Sequence, residues 1–194
     1  MVSYLIFFTL TVVTVLVVFK IILVGSIVGA FPVTQGAMFH PTARIRLKTA
    51  LDYVPMAKGD LLVDIGCGDG RVLLAAARRY GACAIGYEIN PLAYILARMR
   101  TWGKKEIQVK YANFWREHLG RADVVFCYLF PDVMGKLAEK FSRELRPGTR
   151  IISCNFPLPH WQAVKVLYPP SSLYGDPIYI YQVSPPAGTK ASGM

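Results

Sequence analysis

Three glycines in five residues, Gly66, Gly68 and Gly70, stand between a short apolar run, Leu61–Ile65, and an Ala-rich stretch, Arg71–Tyr80, which Gly81 ends. A strand, a glycine loop and a helix in that order commit the chain to an α/β layer, because the strand needs a parallel neighbour and the helix must cross back to supply it. The rest of the chain keeps this rhythm. Residues 82–87, Ile107–Tyr111, residues 123–129 and Arg150–Cys154 read as four further strands. Asn90 stands where a helix N-cap belongs, with Pro91 at the first helical position. Leu92, Ile95, Leu96 and Met99 follow at i, i+3, i+4 and i+7, which predicts one buried helix face. Met134, Leu137, Phe141 and Leu145 form a second such stripe, ended by Pro147 and Gly148. The pattern then changes. Residues 163–168 and 177–183 read as strands with no helix between them, so they are expected to pair antiparallel. Residues 185–194 are rich in Pro, Gly and Ser and are expected to be disordered.

The first 31 residues are of another kind. They contain no acidic side chain and one basic one, Lys20, whereas all twelve Asp and Glu and the other twenty-one Lys and Arg lie after them. About 20 apolar residues of helix span a hydrocarbon core, so residues 1–31 are expected to form one transmembrane anchor, with Lys20 snorkelling toward the interface. Arg44, Arg46 and Lys48 follow the segment and no basic side chain precedes it. That asymmetry puts the remainder of the chain on the cytoplasmic side of the membrane, with the three basic groups toward anionic lipid heads. Gly25 and Gly29 form a small-xxx-small pair through which a second copy could pack. Residues 32–58 are a juxtamembrane segment contributing to the site, and 59–184 form the principal domain. The four cysteines, Cys67, Cys83, Cys127 and Cys154, are far apart and lack metal-ligand spacing, so no metal site and a reducing compartment are expected. The net charge of +10 suits anionic lipid, acidic protein or nucleic acid.

The glycine spacing discriminates between ligands. A dinucleotide fingerprint requires glycine at position 71, where Arg71 stands, read here as a solvated first-turn residue. The tighter pattern Asp64, Gly66, Gly68, Gly70 suits S-adenosylmethionine, which has an ammonium and a carboxylate but no pyrophosphate. Glu88 ends the next strand, where a carboxylate can accept from both hydroxyls of a ribose.

On these residues the chain resembles the class I S-adenosylmethionine-dependent methyltransferases, across roughly residues 38–183. Residues 63–72 look like their first motif, and the run from Gly86 to Pro91 like the segment after it. More narrowly, it resembles the membrane-anchored lysine methyltransferases of the ATP synthase c-subunit and the adenine nucleotide translocase, and their prokaryotic relatives. The apolar N-terminal segment, the approach His40-Pro41-Thr42, and the run Phe156-Pro157-Leu158-Pro159-His160-Trp161 carry that narrower likeness. The resemblance implies a Rossmann-like, mostly parallel sheet whose last strand is antiparallel, preceded by one transmembrane helix. It implies a cofactor pocket of Asp64, Gly66, Cys67, Gly68, Gly70, Glu88, Asn113 and Phe114. Many relatives have Asp where this chain has Asn113.

A lysine acceptor must lose its proton before transfer, which at pH 7 costs about 4–5 kcal/mol from its ordinary pKa. Apolar burial lowers that cost, and aromatic faces tolerate a methylated cation. Tyr128, Phe156 and Trp161 lie after the fourth and fifth strands, where such a pocket would form, with His160 as a candidate proton acceptor. The three aromatic residues are equally readable as ordinary core, and a loop histidine between Pro159 and Trp161 is more often structural. Methylases of nucleic-acid bases commonly show [DN]-P-P-[YF] after the fourth strand, and this chain has Cys127-Tyr128-Leu129-Phe130-Pro131 there, so no nucleic-acid partner is expected. The sequence therefore points to a membrane-anchored protein-lysine methyltransferase acting on a membrane protein with a lysine near the bilayer surface. Methylation of a lipid amine or a quinone-like molecule, or a cofactor-binding membrane scaffold without activity, are the alternatives.

Overall fold

The computed structural model describes residues 2–30, 42, 44–170 and 176–185. The approach residues His40 and Pro41, the tail beyond Pro185 and the surroundings of Gly29 lie outside what is described. A helix α1 (Val2–Ala30) precedes α2 (Arg44–Tyr53), β1 (Leu61–Ile65), α3 (Arg71–Tyr80), β2 (Cys83–Glu88), α4 (Pro91–Arg100) and β3 (Ile107–Tyr111). There follow β4 (Val124–Cys127), α5 (Met134–Glu144), β5 (Arg150–Cys154), β6 (Lys165–Leu167) and β7 (Ile178–Gln182). The strands form one seven-stranded sheet in the order β3-β2-β1-β4-β5-β7-β6. β1 to β5 pair parallel, and β7 runs antiparallel to both β5 and β6. The order reverses between β1 and β4, and the crevice at the carboxyl ends of strands beside such a reversal is where ligands bind in sheets of this kind.

Two apolar layers cover the sheet. On one face Leu47, Ala50, Leu51 and Val54 pack with Val72, Leu73 and Ala76 of α3 and Ala97 of α4. On the other, Met134, Leu137, Phe141 and Leu145 meet Val63, Ile65, Val125 and Ile151, as the periodicity of α5 predicts. The caps of α3 and α4 are also as the residues dictate. Gly81 takes a left-handed φ of 64° and its N–H bonds Ala77 O, and the Asn90 side chain accepts from the amides of Leu92 and Ala93. α2 is a helix beyond those the sequence reading anticipates, although Leu47, Ala50, Leu51 and Val54 carry the i, i+3, i+4, i+7 spacing that marks one.

The expected orientation of α4 is reversed. Its buried face is Ala93 and Ala97, whereas Ile95, Leu96 and Met99 are 51%, 45% and 68% exposed. Sterics explain this. A Cβ placed on Gly70 would lie 3.2 Å from that of Ala97, so α4 approaches the glycine loop too closely for any larger side chain. The larger apolar residues are turned outward.

α1 is apolar enough and long enough to cross a membrane over Ser3–Gly25, and that window has no buried share. Thr9, Thr11 and Thr14 each return their hydroxyl to the carbonyl four residues earlier, which satisfies them within the helix. Arg46 does not face lipid as a basic flank would. It is buried, pairing with Asp176, and Lys48 is engaged by Asp52.

Candidate cofactor and acceptor site

The loop after β1 is built for close approach. Gly66, Gly68 and Gly70 take φ of 79°, 55° and 75°, the left-handed region that other residues occupy at a cost. The amides of Gly66 and Cys67 both donate to Tyr87 O, which ties the loop to the end of β2. The Cys67 side chain is buried, and its Sγ would lie 2.6 Å from a Cβ on Gly86. Cys67 can therefore face a ligand through its backbone, while its thiol, pushed up by burial and then by Asp64, is part of the core. Cys127 and Cys154 are likewise buried free thiols, and Cys83 is exposed.

Three carboxylates converge here. Asp64, at the carboxyl-terminal half of β1, is buried, and among the described residues no group donates a hydrogen bond to it. Burial, and then the charges of Glu88 and Asp69, push its carboxyl well above the ordinary range. Glu88 is also raised by burial, against the opposing pull of three backbone amides. Its Oε2 accepts from Gly68 N and its Oε1 from Ile89 N and Asn90 N, all at 2.8 Å. A carboxylate has about four acceptor positions, so Glu88 both organises the loop and retains capacity toward a ligand. The sequence reading captures only the second role.

Asp69 has the opposite balance. Burial raises its pKa, but the Arg71 and Arg100 guanidinium groups outweigh it and hold the carboxyl below its usual range. Arg71 is not a solvated residue. Its guanidinium grips both oxygens of Asp69 and donates to Thr42 O at 2.8 Å, joining the segment before α2 to the glycine loop. Arg100, at the end of α4, completes the clamp with Asp69 at 2.8 Å.

Asn113 caps a 3-10 turn over Phe114–Arg116, its Oδ1 accepting from Trp115 N at 3.0 Å. The carbonyl end is thereby engaged and the amide end is the one left to read a ligand. Phe114 is half-buried, stacked against Trp115 with ring centroids 4.6 Å apart.

The four residues proposed from the sequence for the acceptor pocket are not brought together. Tyr128 packs on the α2–α3–α4 side of the sheet, and Phe156 and Trp161 on the α5 side. Trp161 makes an edge contact with Tyr181 at 6.1 Å. His160 is exposed, in a left-handed turn with φ of 63°. Another group assembles around Tyr128. Asn155, immediately after β5 and at φ of 70°, donates from Nδ2 to the Tyr128 hydroxyl at 3.2 Å and accepts from Arg46 at 2.7 Å. The Arg46 guanidinium lies 5.2 Å from the Tyr128 ring centroid and pairs with Asp176. Sequence reasoning missed Arg46, Asn155 and Asp176, since the last two stand 109 and 130 positions from the first and no local spacing links them. A non-glycine residue held in the left-handed region at a strand end is the kind of strain that collects at functional sites.

The arrangement fits a ligand with a cationic part and adjacent hydroxyls. A buried carboxylate with no donor among the described residues, beside a second acid and a loop of three left-handed glycines, lies next to the sheet's reversal point.

Comparison with known proteins agrees with this geometry. A sequence model of the ANTKMT methyltransferase domain matches residues 64–165, just over half of the chain. The human lysine N-methyltransferase of the ATP synthase c-subunit is 34% identical over 128 residues, covering 63% of this chain and 53% of the human protein. The chain thus spans about half the length of that relative. A protein-lysine N-methyltransferase of Saccharolobus islandicus is 29% identical over 149 residues, covering 75% of this chain and 92% of the archaeal one. An RNA methyltransferase from Salinibacter ruber, solved with S-adenosyl-L-homocysteine, superimposes with a TM-score of 0.68 at 27% identity, over 79% of this chain and all of that one. With the reversal point, the left-handed glycine loop and the acid pair in place, the chain belongs to the ANTKMT methyltransferase family, on a Rossmann-like sheet.

Proposed function

We propose that this protein is an S-adenosylmethionine-dependent protein-lysine N-methyltransferase, held at a membrane by α1 and acting on a lysine of a membrane-associated protein. The observation that carries the cofactor reading is Asp64: a carboxylate buried beside Glu88 and Asp69 needs a cation to hold it ionised. The lysine reading is supported by the lysine methyltransferases among the relatives. The membrane reading is supported by the exposed, apolar α1.

When bound, S-adenosylmethionine supplies an electrophilic methyl group. The chain's residues bind and position. Asp64 and the backbone of Gly66, Cys67, Gly68 and Gly70 receive the methionine end, Glu88 a ribose hydroxyl, and the amide of Asn113 with the ring of Phe114 the adenine. At the carboxyl ends of β4 and β5, the Asn155 amide holds the Tyr128 hydroxyl beside the acceptor entrance. In-line transfer depends on such alignment more than on any covalent assistance. Loss of the lysine proton is favoured by exclusion of water around the Tyr128 ring.

Incubating native membranes with methyl-labelled cofactor and sequencing the labelled peptide tests the proposal. Label on lysine of an integral or peripheral membrane protein is the expected result. Label recovered in the lipid extract, or none in any fraction despite cofactor binding, overturns it. Removing residues 1–31 should leave cofactor affinity within about twofold of the full chain but sharply lower methylation of that target, because tethering acts through effective concentration. Equal labelling of membranes by truncated and full-length protein at matched concentration would sever the anchor from substrate access.

A further inference from the structure

Among the described residues, the outward face of α4 is largely left exposed. Leu92, Ile95 and Met99 share it at about 100° per residue, opposite the buried Ala93 and Ala97. Trp102, in the turn that follows, is 83% exposed. These side chains form an apolar stripe pointing away from the core. Arg98 borders the stripe on one side, and Lys104 and Lys105 lie exposed just beyond Trp102. Among the described residues none of these three cations forms an ion pair. On the same layer, Arg44, Arg71, Arg78 and Arg100 line a cleft of about 360 Å³ between α2, α3 and α4.

α1 itself touches α4. Any bilayer that accommodates the apolar stretch Ser3–Gly25 is therefore brought close to α4. An apolar stripe bordered by cations, with a tryptophan at one end, has the composition of an interfacial helix, which buries its apolar side among the outer acyl carbons and keeps its basic groups at the phosphates. Tryptophan favours that level because its ring is apolar and its N–H is wet.

We infer that α4 and Trp102 form a second membrane contact, inserting Ile95, Met99 and Trp102 into the interface of an anionic bilayer with Arg98, Lys104 and Lys105 at the headgroups. This rests on the reading of α1 as an anchor. Its consequence is orientation. Asn90, which caps α4, donates its backbone N–H to Glu88 Oε1, so a docked α4 holds the cofactor end of the sheet at a fixed height above the lipid instead of letting it swing on the segment after α1.

The full-length protein, reconstituted in vesicles of phosphatidylcholine with and without phosphatidylglycerol, tests this through quenching of tryptophan fluorescence by lipids brominated along the acyl chain. Trp115 and Trp161 pack on the opposite, α5 side of the sheet and serve as internal controls. Quenching is expected in the wild type, lost in Trp102→Phe, and lost in the double variant Ile95→Glu/Met99→Glu, whose cofactor affinity should be unchanged. Lys104→Glu/Lys105→Glu should remove the dependence on phosphatidylglycerol. Equal quenching in wild type and Trp102→Phe overturns the inference. So does a blue-shifted Trp102 insensitive to brominated lipid, which would mean that α1 or a second copy covers the stripe. Alkaline carbonate extraction separates the two readings: a chain retained in the membrane with unquenched Trp102 overturns only this one, and a chain released overturns the anchor as well.

Discussion

Asp64→Asn is expected to raise the thermal stability of the cofactor-free protein and to weaken S-adenosylmethionine binding by about 10- to 100-fold, the range for losing one charge-assisted contact of roughly 1.5–3 kcal/mol. Both effects come from the same burial. Without a ligand, ionising Asp64 places a negative charge in a poorly solvated position beside two other acids. The folded state therefore holds the proton more tightly than the unfolded chain, whose Asp titrates at about 3.9. Between that value and the raised one the native state binds more protons, so stability falls as pH rises across the window. Binding a sulfonium and an ammonium reverses the preference, because a nearby cation favours the carboxylate. Cofactor affinity should then increase with pH over that window, with a proton released per molecule bound. Calorimetry in two buffers of different ionisation enthalpy reads the release directly. In Asp64→Asn the release should shrink and the stability profile flatten. A variant that binds as tightly as wild type, or that is less stable at neutral pH, would contradict this account of Asp64.

The sequence is most legible where a single local rule decides the outcome. Glycines at 66, 68 and 70 can only be a tight loop, and Asn90 with Pro91 can only open a helix, so β1, α3, β2 and the start of α4 fall where their residues put them. It is least legible where distant segments decide. The apolar period of α4 is real, but periodicity reports that a face is apolar and not which surface covers it. The proximity of Gly70 to Ala97 gives the core side to alanine. Arg71 reads as solvated until Thr42 and Asp69, 29 positions before it and two before it, are seen to share it. Tyr128 draws attention as an aromatic residue at a strand end, while Arg46 and Asn155, which hold it, are brought to it only by the folded chain. The left-handed φ of Asn155 has no signature in a single sequence.

Replacing Glu88 should cost more than its contact with a ribose alone. With three amides already on its carboxylate, the side chain closes the glycine loop before any ligand arrives. Glu88→Ala leaves the Gly68, Ile89 and Asn90 amides without their acceptor, and a buried donor left unmade costs about 1–3 kcal/mol. The donors are neighbours, so the losses will not simply add, and a total of about 3 kcal/mol is the expected scale of destabilisation. Glu88→Gln is the sharper test. Its oxygen can serve Ile89 and Asn90 together, as Oε1 does now, but its NH2 then faces the Gly68 N–H, donor against donor. Rotating the amide moves the conflict to the other pair. Gln keeps the size of the native side chain and still cannot satisfy the loop, so it should lower Tm and weaken cofactor binding by at least about tenfold, or 1.4 kcal/mol. Hydrogen exchange locates the fault: protection should fall first at Gly68 in Glu88→Gln, and at all three amides in Glu88→Ala. If Glu88→Gln keeps the wild-type Tm and loses only ligand affinity, the carboxylate acts on the ribose alone and the loop closes without it.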